Sequence, residues 1–274
     1  MDFFNSKLIR QDYVCRENTN RIIIRASSDA IRVTGGDVDQ VSVSYMECPG
    51  KHEFVLTEEG GCLSLEDKNI SNFLWMLYQP FIDCEIRVTV PRAYNGTIEL
   101  KASSGRTIVS GLTAETLAAE SSSGAIRIED VKAGRIDASG SSGALKIVNA
   151  SSESDITAGC ASGAIHLENT SAGKDIRLGC HSGAIGLTDT SAGGSVSAEN
   201  KTGSITFKAL KAEGNITLSN TTGTISGSVA GKESDYSILS HTTTGHNGLV
   251  NSRGGEKELN VSTTTGTIRI TFVG

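Results

Sequence analysis

The sequence predicts an all-β fold, a single-stranded parallel β-helix of about 20 residues per turn. The first observation is a series of Ser/Thr-Gly steps at Gly105, Gly124, Gly143, Gly163, Gly183, Gly203, Gly223, Gly245 and Gly266, spaced 19, 19, 20, 20, 20, 20, 22 and 21 residues apart. A period held this long marks a solenoid whose units bury their apolar faces only against neighbours. The second is a pair of aliphatic columns in phase with the steps. The third is that no proline follows Pro91, as expected where every rung is hydrogen-bonded on both sides.

Residues 1–20 mix Phe3 and Phe4 with Lys7, Arg10, Asp12, Arg16 and Glu17, so they read as a polar amino-terminal tail without the apolar stretch of a signal peptide. Residues 21–92 alternate in period two at Ile22–Ile24, Ile31–Val33, Val41–Tyr45, Phe54–Leu56, Leu63–Leu65 and Ile86–Val90, punctuated by Gly35-Gly36, Pro49-Gly50 and Gly60-Gly61. That is a β-rich amino-terminal part and cap. Residues 93–274 carry the repeats, and 21–274 read as one continuous unit.

Inside the cap, residues 71–82 hold the sole Trp. Phe73, Trp75, Tyr78 and Phe81 either cover an open end of the coil or form an apolar contact for a partner. They are the only candidate site residues; no catalytic, cofactor-binding or metal-binding residue stands out.

One rung, residues 174–193, shows the expected register. Alternate residues of a strand share a face, so Ile176, Leu178 and Cys180 point inward, Ser182-Gly183-Ala184 turns the chain, and Ile185 and Leu187 point inward again. Each rung therefore reads as two short strands separated by turns. Seven positions before the glycine stand Ile98, Leu117, Ile136, Ile156, Ile176, Val196, Ile216, Ile238 and Leu259; two after it stand Ile126, Leu145, Ile165, Ile185, Ile205, Ile225 and Ile268. At roughly 1.5–3 kcal/mol per buried aliphatic side chain, these columns hold the coil together. Mostly small residues five positions before the glycine imply a narrow interior with no ligand cavity.

Cys160 and Cys180 share an inward column and read as stacked thiols, since parallel neighbours hold Cβ atoms too far apart for a disulfide. His181 is one residue out of phase, faces solvent, and cannot complete a zinc site with them. Asn200 over Asn220 suggests a buried amide ladder. The Ser/Thr column reads as corner chemistry, with hydroxyls bonding turn backbone and glycine free to take positive φ. The near-universal hand of parallel crossovers predicts a right-handed coil. Six scattered cysteines without a CxxC pair read as thiols rather than a disulfide framework.

The net charge is −6, with Lys and Arg scattered singly, which argues against nucleic acid as a partner. No 18-residue apolar run is present to cross a bilayer as a helix. With its amino-terminal β part leading into Ile86-Arg-Val-Thr-Val-Pro91, then Gly96-Thr-Ile-Glu-Leu100 and repeated Ser-Gly-Ala-Ile units, the chain resembles the bacterial putative-adhesin family of β-strand-repeat domains of unknown function. The resemblance implies a single-stranded β-helix tied to the cell envelope. The sequence shows no anchor of its own, which by itself points to the cytoplasm.

Three functions from different classes follow. The first is a non-enzymatic interaction or scaffold protein offering an extended face to a protein or glycan, with no cofactor. The second is a polysaccharide-acting enzyme, which needs paired carboxylates; no outward column is expected to stack acids on consecutive rungs. The third is end-to-end self-assembly through open ladder edges, with the amino-terminal strands and residues 73–82 expected to close one end and Thr267–Phe272 the other.

Overall fold

A computed structural model describes residues 8–50, 52–68 and 84–274. Phe73, Trp75, Tyr78 and Phe81 lie outside the described residues. The strands are β1 (Ile9–Val14), β2 (Arg21–Ala26), β3 (Ala30–Gly36), β4 (Ser42–Glu47), β5 (Phe54–Glu59), β6 (Cys62–Asp67), β7 (Glu85–Pro91), β8 (Thr97–Ala102) and β9 (Thr107–Ser121). There follow β10 (Ile126–Gly140), β11 (Leu145–Val148), β12 (Ser151–Ser152), β13 (Ile156–Ala172), β14 (Ile176–Ala192), β15 (Val196–Ala212), β16 (Ile216–Ala230), β17 (Tyr236–Asn247) and β18 (Lys257–Val273). They form a β-solenoid of about 9 turns with about 20 residues per turn.

Both aliphatic columns are inside. Every member of the first, from Ile98 to Leu259, and of the second, from Ile126 to Ile268, is at most 2 % exposed. The pairings Ile156↔Ile176↔Val196↔Ile216 and Ile165↔Ile185↔Ile205↔Ile225 place like on like. The narrow column of Leu100, Ala119, Ala138, Ala158, Leu178, Ala198 and Leu218 is buried as well.

Each rung has three sides, not the two that the sequence pattern suggests. In β13 to β15 the ladder runs unbroken through the Ser-Gly corner, so that corner is a bend within one 17-residue strand. A second corner falls at Asp130, Asn149, Asn169, Asp189 and Ala209, all with φ near +50°. Asn and Asp tolerate this left-handed conformation best among residues with a Cβ. The third side follows at once, with inward Thr170 and Ala172 in β13 and Thr190 and Ala192 in β14.

The rungs are not stacked in chain order at either end. β18 pairs with β16 on one side and with β17 on the other, both parallel. The last strand is thus inserted beneath the one that precedes it, and 236–256 closes the coil where residues 267–272 were expected to. The reason lies in the second column, where β17 offers Asn247 opposite Ile268. A polar residue is tolerable at the terminal rung and costly in an inner one. The outer edge of β17 is covered in turn: Ile238 exchanges backbone hydrogen bonds with Ser252 (3.0 and 3.1 Å), and Asn251 Oδ1 accepts the Ser240 N–H at 2.7 Å.

The amino-terminal end repeats the device. β2 lies between β6 and β8, and β3 between β7 and β9, all parallel. The rung β6–β7 is therefore outermost although it comes later in the chain. Antiparallel β5 covers the free edge of β6 and antiparallel β4 that of β7. Residues 9–14, which the sequence places in a tail, form β1 against β4. Glu58 anchors this segment by accepting the Arg16 and Glu17 N–H groups at 2.8 and 3.0 Å.

Candidate functional site

Among the described residues the features with chemistry to offer lie on the outer sides and in the cap. One side, built by β2, β8, β9, β10 and β13, carries a shallow open concavity of about 500 Å³. Its centre is lined by the small Ala118, Ser139, Thr157 and Gly159 with Asp137 between Ala118 and Thr157, and Arg25, Glu99, Lys101 and Glu120 lie toward the amino-terminal end. Small outward residues leave strand backbone accessible, whereas the charged end is already paired. Arg21 Nη2 meets Glu99 at 2.7 Å, Lys101 Nζ meets Glu120 at 3.1 Å, and Arg25 pairs with Glu66. These exposed pairs fix local charge order more than they stabilise.

The Ser/Thr corner column is solvent-exposed along its whole length, from Ser104 through Thr265. Within it, Ser104 Oγ reaches across to Ser27 O of another rung at 3.3 Å, whereas a local turn bond is made from the inward column, where buried Ser121 Oγ accepts the Gly124 N–H at 2.9 Å. Glycine is required here for a harder reason than corner flexibility. A Cβ on Gly183, Gly203 or Gly223 would lie 1.7–1.8 Å from the carbonyl oxygen of the corner glycine one rung away.

The inward column just before the corner supports those same carbonyls. Asn200 Nδ2 donates to Gly183 O at 2.9 Å and Asn220 Nδ2 to Gly203 O at 2.7 Å. The expected ladder between the two buried amides therefore does not form, because each is drawn to the carbonyl one rung back. An amide ladder exists instead at the left-handed corner, where Asn149 Nδ2 donates to Asp130 Oδ1 (3.1 Å) and Asn169 Nδ2 to Asn149 Oδ1 (2.9 Å). Cys160 and Cys180 are free, buried thiols with Sγ atoms 2.7 Å apart, closer than strand spacing alone suggests. His181 is exposed and sits 2.9 Å from Lys201 Nζ.

Acids do stack on consecutive rungs, contrary to expectation, at the third corner. Asp155 Oδ1 accepts the Asp175 N–H at 3.1 Å and Asp175 Oδ1 accepts the Ser195 N–H at 2.8 Å. Arg177 contacts both carboxylates. The Asp175 backbone N–H first, and Arg177 with it, hold the Asp155 carboxyl below its ordinary range. These side chains act as corner caps.

The cap holds the one group of three His, Cys, Asp or Glu side chains among the described residues whose ligand-type atoms converge. Asp29, His52 and Asp67 each offer one ligand-type atom, all within 4.8 Å of one another. Asp29 and His52 are buried, and His52 Nε2 lies 3.1 Å from Asp29 Oδ1. Burial pushes the imidazole down, but the hydrogen bond and charge of Asp29, with Asp67 and Glu47 behind it, outweigh burial and raise its pKa. Sequence reading missed the three because 23 and 15 residues separate them and no motif links them.

A three-sided β-solenoid whose parallel ladder is covered at both ends belongs to the class of solenoid repeat proteins. The chain belongs to the Toastrack DUF4097 family, whose profile matches residues 19–271. Among curated proteins none matches by sequence. Solved structures similar to it include a putative adhesin from Parabacteroides distasonis (TM-score 0.58, 11% identity, 97% of this chain and 98% of that one). A second is a putative adhesin from Parabacteroides merdae (0.56, 12%, 97% of each chain), and a third one from Bacteroides fragilis (0.51, 16%, 97% of each). At these identities the likeness is one of fold. No helix among the described residues is long and apolar enough to cross a membrane.

Proposed function

We propose that this chain is a non-enzymatic scaffold that presents its concave side to a protein or glycan partner, in the manner of an adhesin. The observation that carries the reading is the strip Ala118, Ser139, Thr157 and Gly159. A strip of mostly small side chains, crossed by Asp137 in its ion pair with Arg135 at 2.6 Å and set in a rigid sheet, suits a flat partner that gains polar contacts in register. The names of the structural relatives point the same way.

The electrostatics speak against the enzymatic alternative. A carboxylic acid that protonates a glycosidic oxygen needs a raised pKa. Every carboxylate among the described residues with a displaced pKa is shifted down instead, namely Glu53, Glu58, Glu85, Glu129, Asp155 and Glu213. Such groups remain charged and paired rather than poised to donate.

The test is a glycan array and a cell-surface protein capture run with the wild-type chain and with Ser139→Arg and Gly159→Arg, whose side chains fill the strip. Saturable binding at micromolar concentration, lost in both variants while the β spectrum is kept, is the expected result. No binder at that concentration sinks the scaffold reading; binding unchanged by the variants moves it to another side.

A further inference from the structure

We infer that Asp29, His52 and Asp67 form a binding site for one divalent transition-metal ion of the zinc class. Two carboxylates and an imidazole are a donor set that suits Zn²⁺ and its borderline neighbours. The donors converge from three separate parts of the cap. Asp29 sits between β2 and β3, His52 closes the tight turn that pairs it with Cys48, and Asp67 ends β6 opposite Phe54.

The position of Asp29 in the coil is the first argument. The register Ile31↔Thr107 sets Asp29 opposite Gly105, so it occupies the corner column that is glycine in the rungs from Gly105 onward. In those rungs the carbonyl of the adjacent corner excludes a Cβ; Gly105 itself would meet Asp29 O at 1.8 Å. The rung of Asp29 lies at the cap, and there a carboxylate stands where glycine is otherwise obligatory. Corner geometry has no need of that carboxylate, and its placement brings it to His52.

The second argument is an orphan atom. Asp29 is 3% exposed, one of its oxygens contacts His52, and the other, Oδ2, is buried with no hydrogen-bond partner. A buried, unpartnered carboxylate oxygen is costly, and natural structures relieve it with a cation, a proton or water. Of these three only a cation would also draw on His52 and Asp67, whose ligand-type atoms lie within 4.8 Å of that of Asp29. Donors about 2.1 Å from a tetrahedral ion stand roughly 3.4 Å apart, so the present spread closes on an ion with side-chain shifts of about an ångström. The alternative is a buried His-Asp latch that merely ties the 48–52 turn to the corner.

The experiment uses the full chain, stripped with chelator and dialysed. Titration with ZnCl₂ by calorimetry, with bound metal counted by atomic emission, is expected to show one equivalent in the wild type and in the surface control Asp175→Asn. Affinity should drop at least tenfold in His52→Gln and Asp67→Asn. Co²⁺ added to the wild type should give visible ligand-field bands, a readout that needs no variant to fold. The site is overturned if the wild type takes up no stoichiometric Zn²⁺ and shows no Co²⁺ bands, or if folded His52→Gln binds Zn²⁺ as the wild type does. Either result leaves the latch.

Discussion

At the scale of single residues, the corner glycines and the strand glycines make opposite predictions. Gly203 has φ +127° and its added Cβ would sit 1.8 Å from the Gly183 carbonyl, a backbone atom with nowhere to go. Gly203→Ala should therefore cost about 3 kcal/mol or more. Gly179 meets nothing within 4 Å, so Gly179→Ala should be neutral or stabilising by about 0.5 kcal/mol through the unfolded chain. Urea midpoints of the two variants separate the cases, and similar losses in both would refute the steric account. Glu85 supplies a pH test. Burial pushes its carboxyl up, but hydrogen bonds from Arg87 and Arg32 outweigh it and hold the pKa below the ordinary value. A depressed folded pKa gives stability that is present above the unfolded value of about 4.3 and lost as pH falls through the folded one. Glu85→Gln should thus lower the midpoint at pH 7 and flatten its decline below pH 4.3, as acid-unfolding curves would show. Burial first, then the neighbouring Cys180, pushes the Cys160 thiol up to about 12. Cys160 should accordingly resist a disulfide-exchange reagent at pH 8 in the native protein, as should Cys180 through its burial, and both should react once the protein is unfolded.

At the scale of elements, the inserted strand is the feature with the largest consequence. Among the described residues β18 is the only strand paired with β17, and it also covers the carboxy-terminal side of β16. Removing residues 257–274 should leave 236–247 without a ladder and uncover Ile216, Leu218 and Ile225, which pair with Leu259, Val261 and Ile268. Because a solenoid is coupled mainly rung to rung, the loss should be local. Hydrogen exchange is expected to show 236–247 unprotected and 216–230 weakened while 97–192 keep their protection. Uniform loss along the chain would mean that the coil folds as a single cooperative block.

For the whole molecule, covered edges at both ends decide how the chain can associate. β4 and β5 cover the parallel ladder at one end and 248–256 covers it at the other, and a ladder already paired cannot template a further parallel rung. Light scattering over a concentration series should therefore give a constant particle size, whereas growth with concentration would support end-to-end assembly. Under the proposed function, association falls to the sides, where the strip from Ala118 to Gly159 offers mostly small side chains around Asp137. Legibility in the sequence follows the same division. The repeat period, both aliphatic columns and the inward Cys160, Cys180, Asn200 and Asn220 could be read from spacing, because each is a local consequence of strand alternation repeated every 20 residues. The third side was harder to see, since its inward residues are small and mixed, as at Thr170, Ala172, Ala192 and Ala212. One signal for the swapped end was present in Asn247, a polar break in the second column.

The sequence by itself determined that this protein is a narrow, aliphatic-cored β-solenoid, because a fixed period leaves each rung only its neighbours to bury against. Tertiary structure alone decided which rungs are neighbours at the two ends, and with that the closure of the coil and the meeting of Asp29, His52 and Asp67. The reason is that spacing along the chain specifies what a rung looks like. Where the chain steps past a vacant place and later returns to fill it, adjacency is set by which rung tolerates an exposed face, and no local pattern records that choice.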